Sequence, residues 1–369
     1  MRIGVPREIK TMEFRVGMIP DGVRQLVAAG HEICVERGAG EGSGFADADY
    51  AAAGARLVDV EEVFAASDLV VKVKEPQPVE IARLREGQAL FTYLHLAAAP
   101  ELADALVEAG VCAVAYETIQ NADGTLPVLA PMSEVAGRLA VQIGVTLLQK
   151  DRGGKGLLLG GVPGVPRGRV TVLGAGTVGI NAVRVAHALG AEVDVLDVDL
   201  NRLTYLYDIF GGELNTLFSN ASNIARSVAG SDLVVGAVYL RGRRAPVLVT
   251  EAMVASMQSG SVIADVAVDQ GGCVETIHPT THADPTYRMH DVIHYGVANM
   301  PGAVPRTSTF ALTNTTLPFV ERIAASGVEA AVRDDPALGL GVNVWRGEIV
   351  CAGVAESLGR SCRDLADLI

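Results

Sequence analysis

Gly174, Gly176 and Gly179 are spaced GxGxxG between an apolar run, 170–173, and a helix-forming run, and Asp197 ends a second apolar run. Glycine turn, helix, strand and an acid about twenty residues on form the fingerprint of a dinucleotide site. Gly174 permits the tight turn. Gly176, without a Cβ, lets the backbone approach a pyrophosphate, and Gly179 lets the helix pack closely on its strand. Thr177 and Val178 lie where the helix opens, with free N–H groups and the positive dipole end to receive phosphate. Asp197 suits the two ribose hydroxyls, and its charge opposes a 2′-phosphate, which favours NAD over NADP. The bland reading is a glycine turn in an ordinary βαβ unit. The full context of both strands, helix and acid favours a bound nicotinamide or flavin nucleotide and redox chemistry.

A second set of residues suits acid–base work and anion binding. His95 follows the apolar run Leu90-Phe91-Thr92-Tyr93-Leu94. Its ordinary pKa of ~6.5 fits proton transfer near neutrality, although a hydrogen-bonded structural histidine fits the same position. Lys72 and Lys74 alternate on a strand, so they share a face. They read either as an anchor for a carboxylate, with Lys74 nearer the strand end, or as a pair of solvated edge lysines. Arg15, in the loop after the first strand, has a planar fork suited to a carboxylate and also reads as a surface arginine. Asp269 precedes Gln270-Gly271-Gly272, where it reads as a carboxylate brought close to a ligand or as a turn former. Ser133 opens a long helix, either as its cap or as a contact to cofactor phosphate. His290 and His294 read as structural, because nothing acidic or basic is spaced to pair them.

These residues need rigid elements behind them. Strand-like runs at 2–5, 31–36, 68–74, 88–95 and 111–117 alternate with helix-like runs at 21–29, 80–86 and 100–109. Asp21 reads as the N-cap of the first helix and Gly30 as its stop. Such alternation implies a parallel, doubly wound sheet. No glycine fingerprint follows the first strand, so this part is Rossmann-like in build without being the nucleotide site. A long helix is expected over 133–149, and later strands over 232–238, 261–268 and 291–297. The chain re-enters helix near 307–325 and ends in a more polar tail. The expected fold is α/β: two Rossmann-like doubly wound domains, the first discontinuous (1–128 and 305–369), with the nucleotide domain (129–304) inserted and a cleft between. Ligands in such sheets bind beyond the carboxyl ends of the strands, where Lys74, His95, Glu117 and Asp269 all fall.

Composition sets limits. The 369 residues suffice for two domains. A net charge of −13 with no Lys/Arg cluster argues against a nucleic-acid partner. The first residues read as a strand without a signal-peptide pattern, and no apolar run reaches membrane-spanning length. Five scattered cysteines read as reduced thiols in a cytoplasmic protein. Metal-ligand spacing is absent, since Pro279 separates His278 from His282.

The runs MRIGVPREIKTMEFRV, GAGEGSGF, VKVKEP, FTYLHLAAAPEL, LAPMSEVAGRLA, GGVPGV, GAGTVG, ADVAVDQGG and GVANMPGAVPRTSTFALTN resemble the bacterial L-alanine dehydrogenases, in order and over nearly the whole chain. The resemblance implies reversible oxidative deamination of L-alanine to pyruvate and ammonium with NAD, a role in amino-acid catabolism, and a homohexamer. It implies that His95 is the acid/base and Asp269 the second catalytic residue. Arg15 and Lys74 would hold the substrate, and Met132 would lie near its methyl group. Ser133, Asp197, Val238, Val297, Asn299 and Met300 join the glycine turn as dinucleotide contacts. Arg241-Gly242-Arg243-Arg244 departs from the family pattern, where a proline and fewer positive charges are common. The alternatives are a transhydrogenase-like subunit that passes hydride to a partner's nicotinamide, a dehydrogenase of the lysine- or saccharopine-forming type with a larger pocket, and a non-catalytic NAD-binding regulator.

Overall fold

The structure is a computed structural model that describes residues 1–238 and 244–369. Arg241, Gly242 and Arg243 of the divergent loop lie outside the described residues. In chain order the first strands are β1 (Arg2–Val5), β2 (Glu32–Glu36), β3 (Arg56–Val58), β4 (Leu69–Val71), β5 (Ala89–Thr92) and β6 (Cys112–Ala115). Next come β7 (Arg169–Leu173), β8 (Glu192–Asp197), β9 (Asn215–Phe218), β10 (Leu233–Gly236), β11 (Val262–Asp265), β12 (Thr286–Met289) and β13 (Val292–Tyr295). The tail adds β14 (Val342–Trp345) and β15 (Glu348–Ile349). The chain divides into two compact units, Met1–Met132 with Val304–Ile369, and Ser133–Ala303.

Among the described residues of the first unit, one sheet runs β15-β14-β6-β5-β4-β1-β2-β3. Its middle strands are short, wholly buried and mostly apolar runs such as Leu69–Val71 and Ala89–Thr92, as expected for parallel strands covered on both faces. β1, β2, β3, β4, β5 and β6 pair in parallel. The tail strands correct the expectation of a purely parallel sheet: β14 pairs antiparallel with β6, and β15 with β14. The strand order reverses between β1 and β4, which creates a switch point where ligands of such sheets bind. The first helix is Pro20–Ala28, capped by Ile19, and not by Asp21. Proline suits the first helical position, so Asp21 falls inside the first turn.

The second unit carries the order β12-β13-β11-β10-β7-β8-β9, parallel except for the β12–β13 edge. Its switch point lies between β7 and β10, beside the glycine turn. Among the described residues, no helix is long and apolar enough to cross a membrane.

Candidate active site

In the first unit the loop after β1 carries Glu8, Glu13 and Arg15. Arg15 is only 2% exposed, which overturns its reading as a surface residue. Its Nε donates to Glu13 Oε1 at 2.7 Å and Nη2 to Oε2 at 2.5 Å, while Nη1 lies 3.1 Å from Met132 Sδ. Burial works against the guanidinium charge, but Glu13 outweighs it and holds Arg15 above its ordinary pKa. Met132, placed at the substrate by resemblance alone, thus shares a neighbourhood with Arg15. A cavity of ≈ 650 Å³ opens here, lined in part by Glu8, Lys10, Met12, Glu13 and Arg15.

β4 ends at Val71, before the lysines, so Lys72 and Lys74 do not form a strand-borne pair. Lys72 is fully buried between Glu80, 2.6 Å away, and Glu8, at 3.3 Å. Neither the solvated nor the anion-anchoring reading holds for it. Burial depresses the Lys72 ammonium, yet the two carboxylates hold it above its usual value. Burial pushes the Glu8 carboxyl up, against the pull of Lys72. Glu8 also accepts the backbone N–H of Val73 at 2.7 Å and of Lys74 at 3.3 Å. Lys74 itself is half-buried, so Glu8 shapes the turn that carries it.

β5 ends at Thr92, and His95 lies in the turn beyond rather than on the strand. His95 is exposed, with φ 52 and ψ 36. Its ring lies parallel to Tyr93 at 5.7 Å. Tyr93 donates its hydroxyl to Val128 O at 2.8 Å, and burial raises its pKa, so the phenol stays neutral. The His95 imidazole makes no hydrogen bond among the described residues. The reading of His95 as a hydrogen-bonded structural histidine therefore lacks a bond to rest on. Arg15, Glu8, Lys74, Tyr93 and His95 form one neighbourhood, because Thr92 Oγ1 donates to Lys74 O at 2.9 Å and Tyr93 interacts electrostatically with Arg15.

In the second unit Gly174 has φ 101, and a Cβ there would sit 2.7 Å from Ala237 O and 3.2 Å from Val238 N. This packing sets Val238, just past β10, against the glycine turn. A Cβ on Gly179 would lie 1.8 Å from Gly174 O, whereas one on Gly176 would meet only Arg202 Nη1, at 3.7 Å. The backbone at Gly176 is therefore open to a ligand, and Thr177 begins the helix Thr177–Ala188 with Val178 next to it. Asp197 ends β8, is 7% exposed, and accepts the N–H of Ala175 at 2.6 Å and of Asp199 at 2.8 Å. Arg202 Nη1 lies 3.8 Å from it. An open cradle of backbone N–H groups with an acid at the neighbouring strand end fits a dinucleotide.

The long helix begins at Ala130, so Ser133 lies inside it and does not cap it. Gly137, one turn later on the same face, packs so tightly that a Cβ would be 2.1 Å from Val178 O. This sets the start of the long helix, which carries Ser133, beside the start of the nucleotide helix. Val297 is buried, in a bridge with Thr280 beyond β13. Asn299 has φ 62, its carbonyl lies 3.2 Å from His282 Nε2, and Met300 opens a short turn.

Asp269 is not at a strand end. β11 stops at Asp265, and Asp269 sits exposed in the turn Val266–Gln270. Buried Asp265 holds that turn by accepting N–H groups of Ala267, Cys273 and Val274 at 2.9, 2.7 and 3.2 Å. Burial pushes its carboxyl pKa up despite these donors. Gly271 and Gly272 follow with φ of 92 and 77, so the turn-forming character of this segment and an exposed carboxylate coexist. His294 is buried against Thr276, whereas His290 pairs with Glu251 at 2.8 Å, an acid distant in sequence. Sequence reasoning missed Glu8, Glu13, Arg202, Gly137 and Asp265. The local signals were the Glu13-x-Arg15 spacing and the glycines, Gly137 among them, inside an apolar helix.

Two family descriptions match the chain: Alanine dehydrogenase/PNT, N-terminal domain, over residues 4–136, and its C-terminal domain over 140–352. An alanine dehydrogenase of Halomonas elongata is 53% identical and covers 100% of both chains. One of Bacillus subtilis is 55% identical over 97% of this chain and 95% of its own. A solved L-alanine dehydrogenase superposes with a TM-score of 0.95 at 51% identity, covering 97% of this chain and 99% of the other. A transhydrogenase from Sinorhizobium meliloti gives 0.84 at 25% identity, over 95% and 100%. The chain belongs to the alanine dehydrogenase/PNT family.

Proposed function

We propose that this chain is an NAD-dependent L-alanine dehydrogenase, which interconverts L-alanine with pyruvate and ammonium and serves amino-acid catabolism. Residues 1–128 and 305–369 form the substrate domain and 129–304 the NAD domain. Arg15 binds the substrate carboxylate with a guanidinium that Glu13 holds in place, and Lys74 binds the carbonyl oxygen. Met132 packs against the substrate methyl. Gly174, Gly176, Thr177, Val178, Gly179 and Ser133 receive the pyrophosphate, and Asp197 takes the ribose hydroxyls. Val238, Val297, Asn299 and Met300 line the remainder of the dinucleotide path.

When bound, NAD supplies the acceptor for the hydride leaving the alanine Cα. His95 removes a proton from the water that adds to the resulting imine carbon and returns one to the departing ammonia. Asp269 balances the positive charge that develops on nitrogen. The assembly works as a homohexamer in the cytoplasm.

The observation that carries this reading is the grouping of a buried arginine, a lysine and an exposed imidazole beyond the carboxyl ends of parallel strands. Full-length identity of about half to alanine dehydrogenases supports the substrate. The test is NADH absorbance on mixing the protein with L-alanine and NAD at alkaline pH. A flat trace rejects the reading. The fold shared with transhydrogenase allows a second, hydride passage to another nicotinamide, which an alanine-independent exchange assay would reveal. His95→Ala should abolish turnover and leave NADH affinity unchanged.

A further inference from the structure

His95 occupies a left-handed turn that a residue with a Cβ adopts at a cost, which its surroundings must offset. The surroundings are visible. β5 and β6 are parallel neighbours in which Thr92 pairs with Ala115, so the segments just past their ends run side by side. Glu117, in the turn Tyr116–Thr118 after β6, reaches across to the His95 turn. Its Oε1 accepts the His95 backbone N–H at 2.6 Å, and both of its oxygens lie 3.3 Å from the Leu94 nitrogen. Two successive N–H groups converging on one point make an anion-binding concavity. Here the protein supplies the anion itself.

We infer that Glu117 is a positioning residue for the reaction: its carboxylate fills the backbone concavity at Leu94–His95 and so fixes the direction of the His95 imidazole. The inference rests on the proposed role of His95. Glu117 acts on the backbone of that turn, while Tyr93 backs the ring from one side. The two contacts together define where the imidazole points and leave its nitrogens to substrate and water. Without the carboxylate the turn relaxes toward ordinary φ values and the ring departs from its place. A displacement of about 1 Å in a reacting group is enough for a ~100-fold loss in rate.

The experiment compares wild type, Glu117→Ala and Glu117→Gln for kcat, KM for pyruvate, NADH affinity and thermal midpoint. Hydrogen exchange of a peptide spanning residues 90–96 is followed in parallel. In Glu117→Ala, kcat should fall about 100-fold, with KM and NADH affinity within about threefold and faster exchange at residues 94 and 95. In Glu117→Gln, whose amide oxygen still accepts an N–H, at least tenfold of that loss should return, together with the exchange protection. Full kcat in Glu117→Ala, a loss shared equally by NADH binding and thermal stability, or a glutamine variant no better than alanine would each overturn the inference. Exchange at residues 94 and 95 that ignores Glu117 overturns it even in a protein inactive on alanine, whereas that inactivity in wild type rejects the functional reading itself.

Discussion

Asp197→Ser tests whether one carboxylate sets the choice of dinucleotide. Asp197 stands at the end of β8 with 7% exposure, so its charge is poorly screened. A like charge brought within about 4 Å of it is opposed by about 4 kcal/mol at an effective dielectric of ~20. That corresponds to roughly a thousandfold in affinity, the expected order of NADP rejection. Arg202 lies 3.8 Å from Asp197 and 3.5 Å from Asp199, and removal of Asp197 frees it to meet a 2′-phosphate. The substitution should therefore shrink the NAD-to-NADP ratio of kcat/KM by two to three orders of magnitude, as an estimate from the same Coulomb argument. It should also lower the melting temperature, because the carboxylate accepts two backbone N–H groups and a serine hydroxyl cannot replace both. Initial rates with each dinucleotide measure the ratio. Adding Arg202→Ala to Asp197→Ser should remove most of the gained NADP activity. A ratio within threefold of wild type, or a double variant as active with NADP as the single one, would refute the reasoning.

Gly179→Ala places a Cβ 1.8 Å from Gly174 O, so the nucleotide helix must retreat by at least about 1 Å. Losing two charge-assisted bonds to phosphate, ~1.5 kcal/mol each or more, should weaken NADH binding about 100-fold in a fluorescence titration; a change under threefold would contradict the close-packed turn. His294 is fully buried, 2.8 Å from Thr276 Oγ1, and burial pushes its pKa down, reinforced by His278 and His290. Its folded pKa lies below the unfolded value of ~6.5, so the stabilisation is present above that pH and is lost as pH falls through the folded pKa. Urea midpoints of wild type should thus fall more steeply from pH 8 to pH 5 than those of His294→Gln, and parallel slopes would count against the assignment.

The parts of the fold legible in the sequence are those encoded locally. The glycine turn, the strand preceding it and Asp197 announce themselves because their spacing is fixed by one βαβ unit. The buried runs at β4, β5 and β6 are equally plain. Arg15 was not legible as buried, since exposure of a loop is a tertiary property and only the structure shows Glu13 folded onto it. Lys72 misled for a related reason. Its partners Glu8 and Glu80 lie 64 and 8 residues away, and strand alternation says nothing of them. Helix starts misled twice through proline. Pro20 and Pro131 both sit in first turns, where a missing N–H does no harm, so Asp21 and Ser133 lie inside helices they were expected to cap. The antiparallel β14 and β15 were hidden because they are only four and two residues long.

Carboxylates crowd a site proposed to bind an anion, and the structure explains how this works. Glu13 balances the charge of Arg15 inside the protein, and Glu8 with Glu80 more than balances Lys72. Glu117 points at backbone N–H groups. None of these acids needs to repel a ligand strongly, because each is engaged by a donor of its own. Their effect is to fix directions: the fork of Arg15, the turn before Lys74 and the turn at His95. The chain's charge of −13 is screened beyond a Debye length of about 8 Å, so it does not govern affinity at this range. Recognition of a small anion here depends on donors held in place before it arrives, and preorganised dipoles of this kind stabilise developing charge without reorganising during the reaction. Substitutions at Glu8, Glu13 or Glu117 should accordingly disturb geometry before they disturb electrostatic attraction.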